Sequence, residues 1–187
     1  MNKLLFIDVE TTGIDRNKSG VWQIGGLIEC GKRKEEFLFE CDIFEQDDFD
    51  PTVTDITGIT LEKLSSFSNP AQVHDQLIKI FDKYVDRYDK TDKFTTIAYG
   101  ASFDQDMLER WFKNNDDDFL RSWTWHPWIC MMSTAALMLK DERSSIKSFK
   151  LSSIAEYLNI KVDENKTHNA LYDAQIAREI YYKLIKK

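Results

Sequence analysis

Positions 4–9 are apolar except for Asp8, and the run closes on Glu10-Thr11-Thr12-Gly13. A short apolar run bounded by a turn signal predicts a buried strand. Val21–Cys30 and residues 33–41 flank Gly31-Lys32 and predict a hairpin beside that strand. Residues 47–50, followed by Pro51, read as a loop. From Pro70 the period changes. Val73, Leu77, Ile80, Phe81, Tyr84 and Val85 recur at helical spacing behind a proline suited to a first turn. Residues 94–99 return to a short buried strand, Met107, Leu108, Trp111 and Phe112 mark the next helix, and 114–118 form a polar break. Helical patterns then cover 133–139, 151–158 and 170–185. With no repeat and no low-complexity tract, the order of elements predicts one α/β domain over residues 1–187.

Four carboxylates break these apolar patterns. Asp8 interrupts the first strand, and Glu10, two residues on, projects from the same face of an extended chain. Asp104 shares a helical stripe with Met107, Leu108 and Trp111. Asp173 does the same among Ala170, Ala174, Ala177, Ile180, Tyr181 and Leu184. A buried carboxylate without a partner costs several kcal/mol or takes up a proton. Basic partners are scarce nearby: no Lys or Arg lies between Lys3 and Arg16, or between Phe94 and Leu108, and Arg178 points elsewhere on its helix. Divalent cations are the more economical partners, and an all-oxygen ligand set suits two Mg²⁺ or Mn²⁺ ions rather than zinc. Such a pair, about 4 Å apart, is the arrangement used for in-line displacement at phosphorus. His168, one of three histidines, precedes Asp173 by five residues at the entrance of the last helix. There an imidazole can accept a proton beside the metals.

Net charge changes the picture in one respect. At −7 the chain is not a protein that coats nucleic acid through a broad positive field. An enzyme holding a few nucleotides at one strand end is still permitted, because bound metal supplies the missing positive charge. Cys30, Cys41 and Cys130 are widely spaced, which suggests buried fillers in a reducing cytosol, not a disulfide framework or a zinc site. No stretch reads as a signal peptide or a membrane span, so a cytoplasmic location is expected.

Three motifs resemble the DEDDh, or DnaQ-like, 3′→5′ exonucleases. Phe6-Ile7-Asp8-Val9-Glu10-Thr11-Thr12-Gly13 is similar to the family's first motif, and Ala101-Ser102-Phe103-Asp104 to the second. His168-Asn169-Ala170-Leu171-Tyr172-Asp173-Ala174 is similar to the third, with the His-x4-Asp spacing of the subclass. Gln23-Ile24-Gly25-Gly26 and Ile56-Thr57-Gly58-Ile59-Thr60 are weaker echoes. The resemblance implies an RNase H-like three-layer fold, a mixed five-stranded sheet flanked by helices. It implies that Asp8 bridges two ions, with Glu10 and Asp173 on the nucleophile side and Asp104 on the leaving-group side. His168 is then the general base, and the products are nucleoside 5′-monophosphates. Thr11 and Thr12 are expected at the terminal nucleotide, with Ile56 and Phe103 wedged against the last bases. The substrate is a single-stranded 3′ end, DNA over RNA; an oligoribonuclease is the alternative, and a catalytically silent nucleic-acid-binding domain a distant one. A polymerase partner is possible on this reading but is not indicated. Two positions depart from the family pattern: Tyr99-Gly100 precedes the second motif, and Met132 stands where an aspartate is common, leaving Ser133 as the expected helix cap.

Other polar and aromatic clusters have simpler readings. Trp123, Trp125 and Trp128 fit packing better than base stacking. Asp116-Asp117-Asp118 lacks the glycine and spacing of a calcium loop and reads as solvated. Gly25-Gly26 is expected to permit a close backbone approach or a bulge.

Overall fold

Strand β1 (Lys3–Thr11) sits at the centre of a five-stranded sheet of order β3-β2-β1-β4-β5, in a computed structural model that describes residues 2–185. Its partners are β2 (Val21–Cys30), β3 (Arg33–Glu40), β4 (Thr95–Ala98) and β5 (Ile129–Cys130). The first three strands run antiparallel and β4 and β5 continue parallel to β1, so the sheet is mixed. The β2–β3 hairpin turns at Gly31, whose φ of 62° is costly for a residue with a Cβ.

Both faces of β1 are covered, which explains why its sequence is almost continuously apolar. Leu5, Ile7 and Val9 enter one core with Val73, Leu77 and Phe81 of α3 (Pro70–Phe81) and Leu108, Trp111 and Phe112 of α4 (Ala101–Asn114). Leu4 and Phe6 enter the other, with Ile154 of α7 (Leu151–Tyr157) and Ile176 and Ile180 of α8 (Ala170–Ile185). Phe6 is fully buried with its ring edge-on to Tyr181 at 5.4 Å, a burial worth about 1.5–3 kcal/mol. The period-2 alternation puts Asp8 and Glu10 on this second face, under α8.

Short elements fill in where periodicity gives no signal: α1 (Thr52–Thr57), α2 (Leu61–Leu64), α5 (Leu120–Trp123) and 3₁₀ turns at Lys140–Ser145 and Glu164–Lys166. Helix α3 is capped by Asn69, which accepts from the Ala71 N–H at 2.8 Å, with Pro70 in its first turn. It stops at Phe81, yet Tyr84 and Val85 still reach the core from the turn that follows. Helix α6 (Met131–Met138) begins directly out of β5, two residues before Ser133. Ser133 is therefore inside the helix and does not cap it; the Met132 N–H is taken by the Tyr99 carbonyl at 3.0 Å instead.

Parallel pairing of β1 with β4 covers only Leu4–Phe6 against Thr95–Ile97. Past Phe6 the two strands part, and the second half of β1 loses its ladder on that side. This divergence, at the carboxyl ends of neighbouring strands, is where open α/β sheets place their sites.

Candidate active site

The gap left by β4 is closed by Asp104. Its carboxylate accepts the otherwise unladdered Val9 N–H and its own N–H from the first turn of α4. On the opposite face of the sheet, α8 lays its first turn across β2. Gly25 is the β2 residue paired with Asp8, and a Cβ there would stand 2.0 Å from the Leu171 nitrogen and 2.3 Å from the Ala170 carbonyl carbon. Only a glycine lets the helix come this close, so the expected backbone approach at Gly25 is what the structure shows. Gln23, paired in the sheet with Glu10, fixes the same turn: its Oε1 accepts from the Ala170 N–H at 2.8 Å. Its Nε2 in turn donates to Glu40 at 3.1 Å.

Three carboxylates thereby converge. Oxygens of Asp8, Glu10 and Asp173 lie within 4.8 Å of one another, a spacing that suits one cation. Asp104 stands outside this triplet but facing Asp8, on which its charge acts more strongly than that of Glu10 or Asp173. Asp8 therefore has acidic neighbours both within the triplet and in Asp104. None of the four makes an ion pair with a Lys or Arg among the described residues, although the positive charge of Arg16 reaches Asp104.

The acids strain against one another. Burial, then the charges of Asp104, Glu10 and Asp173, holds the Asp8 carboxyl well above the usual carboxylate range. Burial, then Asp173 and Asp104, pushes Glu10 up to about 8. Burial raises Asp104 to about 7 even though the two N–H donors and Arg16 oppose it. Asp173 rises to about 6 for the same first reason, opposed by the charge and the backbone N–H of His168. Four acids that resist ionising together form a site that a divalent cation stabilises. His168 is exposed beside them, in a left-handed conformation at φ 63°. Such a φ is uncommon for a non-glycine residue and is concentrated at functional sites.

The remaining site residues divide. Thr11 is half-buried, its hydroxyl donating to the Gly13 carbonyl at 2.7 Å. Thr12 is fully buried; its hydroxyl donates to the Asp48 carbonyl and accepts from the Gly20 N–H at 2.8 Å. It ties the exit loop of β1 to residues 47–50. Ile56 stands 60% exposed on α1, and Phe103 is half-buried one residue before Asp104. Arg16, which sequence reasoning passed over, lies over the Phe103 ring at 5.6 Å and pairs with Asp106. Gln23 stood out only as part of a weaker motif and was given no role, although a lone amide in the apolar strand Val21–Cys30 was a visible signal.

Other clusters serve the core. Trp123 and Trp128 are buried, and Trp125 lies near Lys93 at the far end of β4 from the acids. Asp117 is buried, not solvated: it faces His74 at 3.4 Å and Arg87 at 3.6 Å and accepts from the Phe119 N–H. The three cysteines form no disulfide with one another; Cys41 is buried as a filler, whereas Cys30 and Cys130 are half-buried. No described helix is long and apolar enough to cross a membrane.

The RNase_T family, described as "Exonuclease", matches residues 5–181. The chain belongs to this exonuclease family. It is a DnaQ-like member of the RNase H-like superfamily, and its mixed five-stranded sheet flanked by helices is that fold. The DNA polymerase III PolC-type of Mycoplasmopsis pulmonis is 26% identical over 176 residues, which is 93% of this chain and 11% of that protein. E. coli exonuclease I in complex with a dT13 oligonucleotide superposes with a TM-score of 0.77 at 20% identity, over 100% of this chain and 41% of that one. The zinc-ion-bound form of the E. coli exonuclease I–ssDNA complex gives 0.77 at 21% identity, over 100% and 40%. The chain thus spans about two-fifths of exonuclease I and about a ninth of the polymerase.

Proposed function

We propose that this exonuclease chain removes nucleotides one at a time from the 3′ end of a single strand, DNA over RNA, releasing nucleoside 5′-monophosphates. The observation that carries the reading is the convergence of Asp8, Glu10 and Asp173 within 4.8 Å, with Asp104 facing Asp8 and His168 bonded to Asp173. The donor set is all oxygen, crowded and without an ion pair to a basic side chain among the described residues, and it fits two Mg²⁺ or Mn²⁺ ions. Asp8, Glu10 and Asp173 would hold one and Asp104, beside Asp8, the other; bound metal would supply Lewis-acid stabilisation of the charge that develops on the phosphate.

The chain's own groups do the rest. His168 takes the proton of the attacking water, and its exposed imidazole releases it to solvent. Asp173 orients that histidine by accepting its backbone N–H. Phe103 and Ile56 flank the terminal bases, with Thr11 at the last nucleotide, while buried Thr12 braces the loop that presents it. DNA is favoured because the solved structures resembling this chain hold dT13 and dA16 oligonucleotides, and its sequence relative is a DNA polymerase. The same relative supports a polymerase setting as a second context for this activity.

Matched DNA and RNA oligomers labelled at either end test the reading. A 5′ label is expected to persist on steadily shortening DNA, with RNA degraded more slowly. Early loss of the 5′ label as a mononucleotide overturns the direction, and faster RNA decay overturns the preference.

A further inference from the structure

The loop after β1 makes a tight turn whose tip carries Arg16. The Asp15 carboxylate accepts the Asn17 N–H at 2.9 Å, and the Asp15 carbonyl accepts those of Lys18 at 3.1 Å and Ser19 at 2.8 Å. From this fixed base the guanidinium reaches the start of α4, 86 to 90 positions further along the chain. Its Nη1 donates to the Ser102 carbonyl at 3.3 Å and to the Asp106 carboxylate, and its Nη2 to the Ser102 hydroxyl at 3.4 Å. Ser102 and Asp106 are one helical turn apart, with Phe103 between them in the chain. The guanidinium carbon stands 5.6 Å from the centre of the Phe103 ring, within cation–π reach.

Phe103 also packs against the core shared by β1, α3 and α4. Its ring is thus held by buried apolar side chains and by a flat cation together. Stability alone does not account for the arrangement. Arg16 and Asp106 are 43% and 49% exposed, and an ion pair in that much water contributes little to folding. Nor is the guanidinium free to take up a strand's phosphate. It lines an open cleft of about 520 Å³, but Asp106 neutralises it there. What the contacts do set is the position of one half-buried aromatic ring beside Asp104.

We propose that Arg16 is a positioning residue for strand recognition, acting through Phe103. It clamps the loop after β1 to the start of α4 and holds the Phe103 ring in the orientation that meets the terminal bases. Contact between an aromatic ring and a base depends on that orientation, and a ring set in advance binds without the cost of ordering it. Arginine suits the task because its planar fork donates to several acceptors while its face lies on the ring. A lysine ammonium is a point charge and does not combine the two. The inference rests on the exonuclease reading above, in which Phe103 flanks the terminal bases.

Affinity for a 5′-fluorescein-labelled thymidine oligomer is measured by anisotropy in Ca²⁺, and kcat and KM for its shortening in Mg²⁺. The intact chain is compared with Arg16→Ala, Arg16→Lys, Phe103→Leu and Arg16→Ala/Phe103→Leu, each with a melting curve. Arg16→Ala is expected to weaken binding and raise KM about fivefold, with kcat within about twofold of wild type. Arg16→Lys is expected to bind as weakly, and Arg16→Ala to have no further effect once Phe103 is leucine. Unchanged affinity with a lower melting temperature makes Arg16 a loop brace and overturns the proposal. A loss of the same size in the Phe103→Leu background, or full recovery by lysine, assigns a direct charge contact to the strand and also overturns it. If the wild type binds the oligomer without shortening it, the nuclease reading falls and the clamp is judged on affinity alone. If every variant shortens the strand with wild-type KM, the clamp falls alone.

Discussion

Gly25→Ala places a single methyl group where the first and third motifs meet. The new Cβ would lie 2.0 Å from the Leu171 nitrogen, 2.3 Å from the Ala170 carbonyl carbon and 2.6 Å from the Leu171 Cα. All three are backbone atoms, so no rotamer change relieves the contact. Reaching ordinary separation, which begins near 3.4 Å, requires the first turn of α8 to retreat by about 1.4 Å. Asp173 rides on that turn, its N–H bonded to the Asn169 carbonyl at 2.9 Å, and His168 precedes it. Both then leave a cluster whose oxygens lie within 4.8 Å. A misplacement of about 1 Å costs on the order of 10²-fold in rate, and overpacking costs ~1–3 kcal/mol in stability. Gly26→Ala is the control. Its Cβ meets the Phe37 ring at 2.4 Å and the Phe6 carbonyl at 2.9 Å, away from α8. Turnover per folded molecule and the rise in melting temperature on adding Mn²⁺ are measured for both. Gly25→Ala is expected to lose both responses, and Gly26→Ala to lose stability alone. Near-normal turnover in Gly25→Ala, or equal loss of turnover in both variants, refutes the argument.

Two further predictions follow from the same geometry. His168→Ala is expected to lower turnover ~10²–10⁴-fold while the Mn²⁺-induced rise in melting temperature persists; a variant that melts early but turns over normally removes His168 from the chemistry. In metal-free buffer, stability should fall as pH rises. Glu10, Asp104 and Asp173 titrate near 8, 7 and 6 when folded, against ordinary values of 4.5, 3.8 and 3.8. Between about 4 and 8 the folded state holds the extra protons, so raising pH through that window favours the unfolded chain. Melting curves in EDTA at pH 5.5 and 8.5 are expected to differ on the order of 5 °C, and Asp8→Asn to narrow the gap; a melting temperature that rises with pH contradicts this.

Elements with a strong period were legible. The central strand, the hairpin and α8 lie where the alternation of apolar and polar positions puts them, and the buried acids stood out because nothing nearby balanced their charge. Elements shorter than two turns were not: α1, α2 and α5 span too few residues to set a period, and β5 is two residues fixed by its neighbour β4. Pairings across the chain were equally hidden. Gln23 reaches the Ala170 N–H across 147 positions, and Asp117 reaches His74 of α3 from the loop between α4 and α5. Gly25 announced a close approach but not its partner, which is decided only when α8 packs on β2.

The central claim is that Asp8, Glu10, Asp104 and Asp173 work through bound divalent metal. Asp173→Ala measured beside wild type on one 5′-labelled single strand, in Mg²⁺ and in excess EDTA, tests it most directly. The account predicts stepwise shortening by wild type in Mg²⁺, none in EDTA, and a rate for Asp173→Ala lower by at least ~10³-fold. Shortening at the wild-type rate in EDTA, or by Asp173→Ala in Mg²⁺, would contradict it.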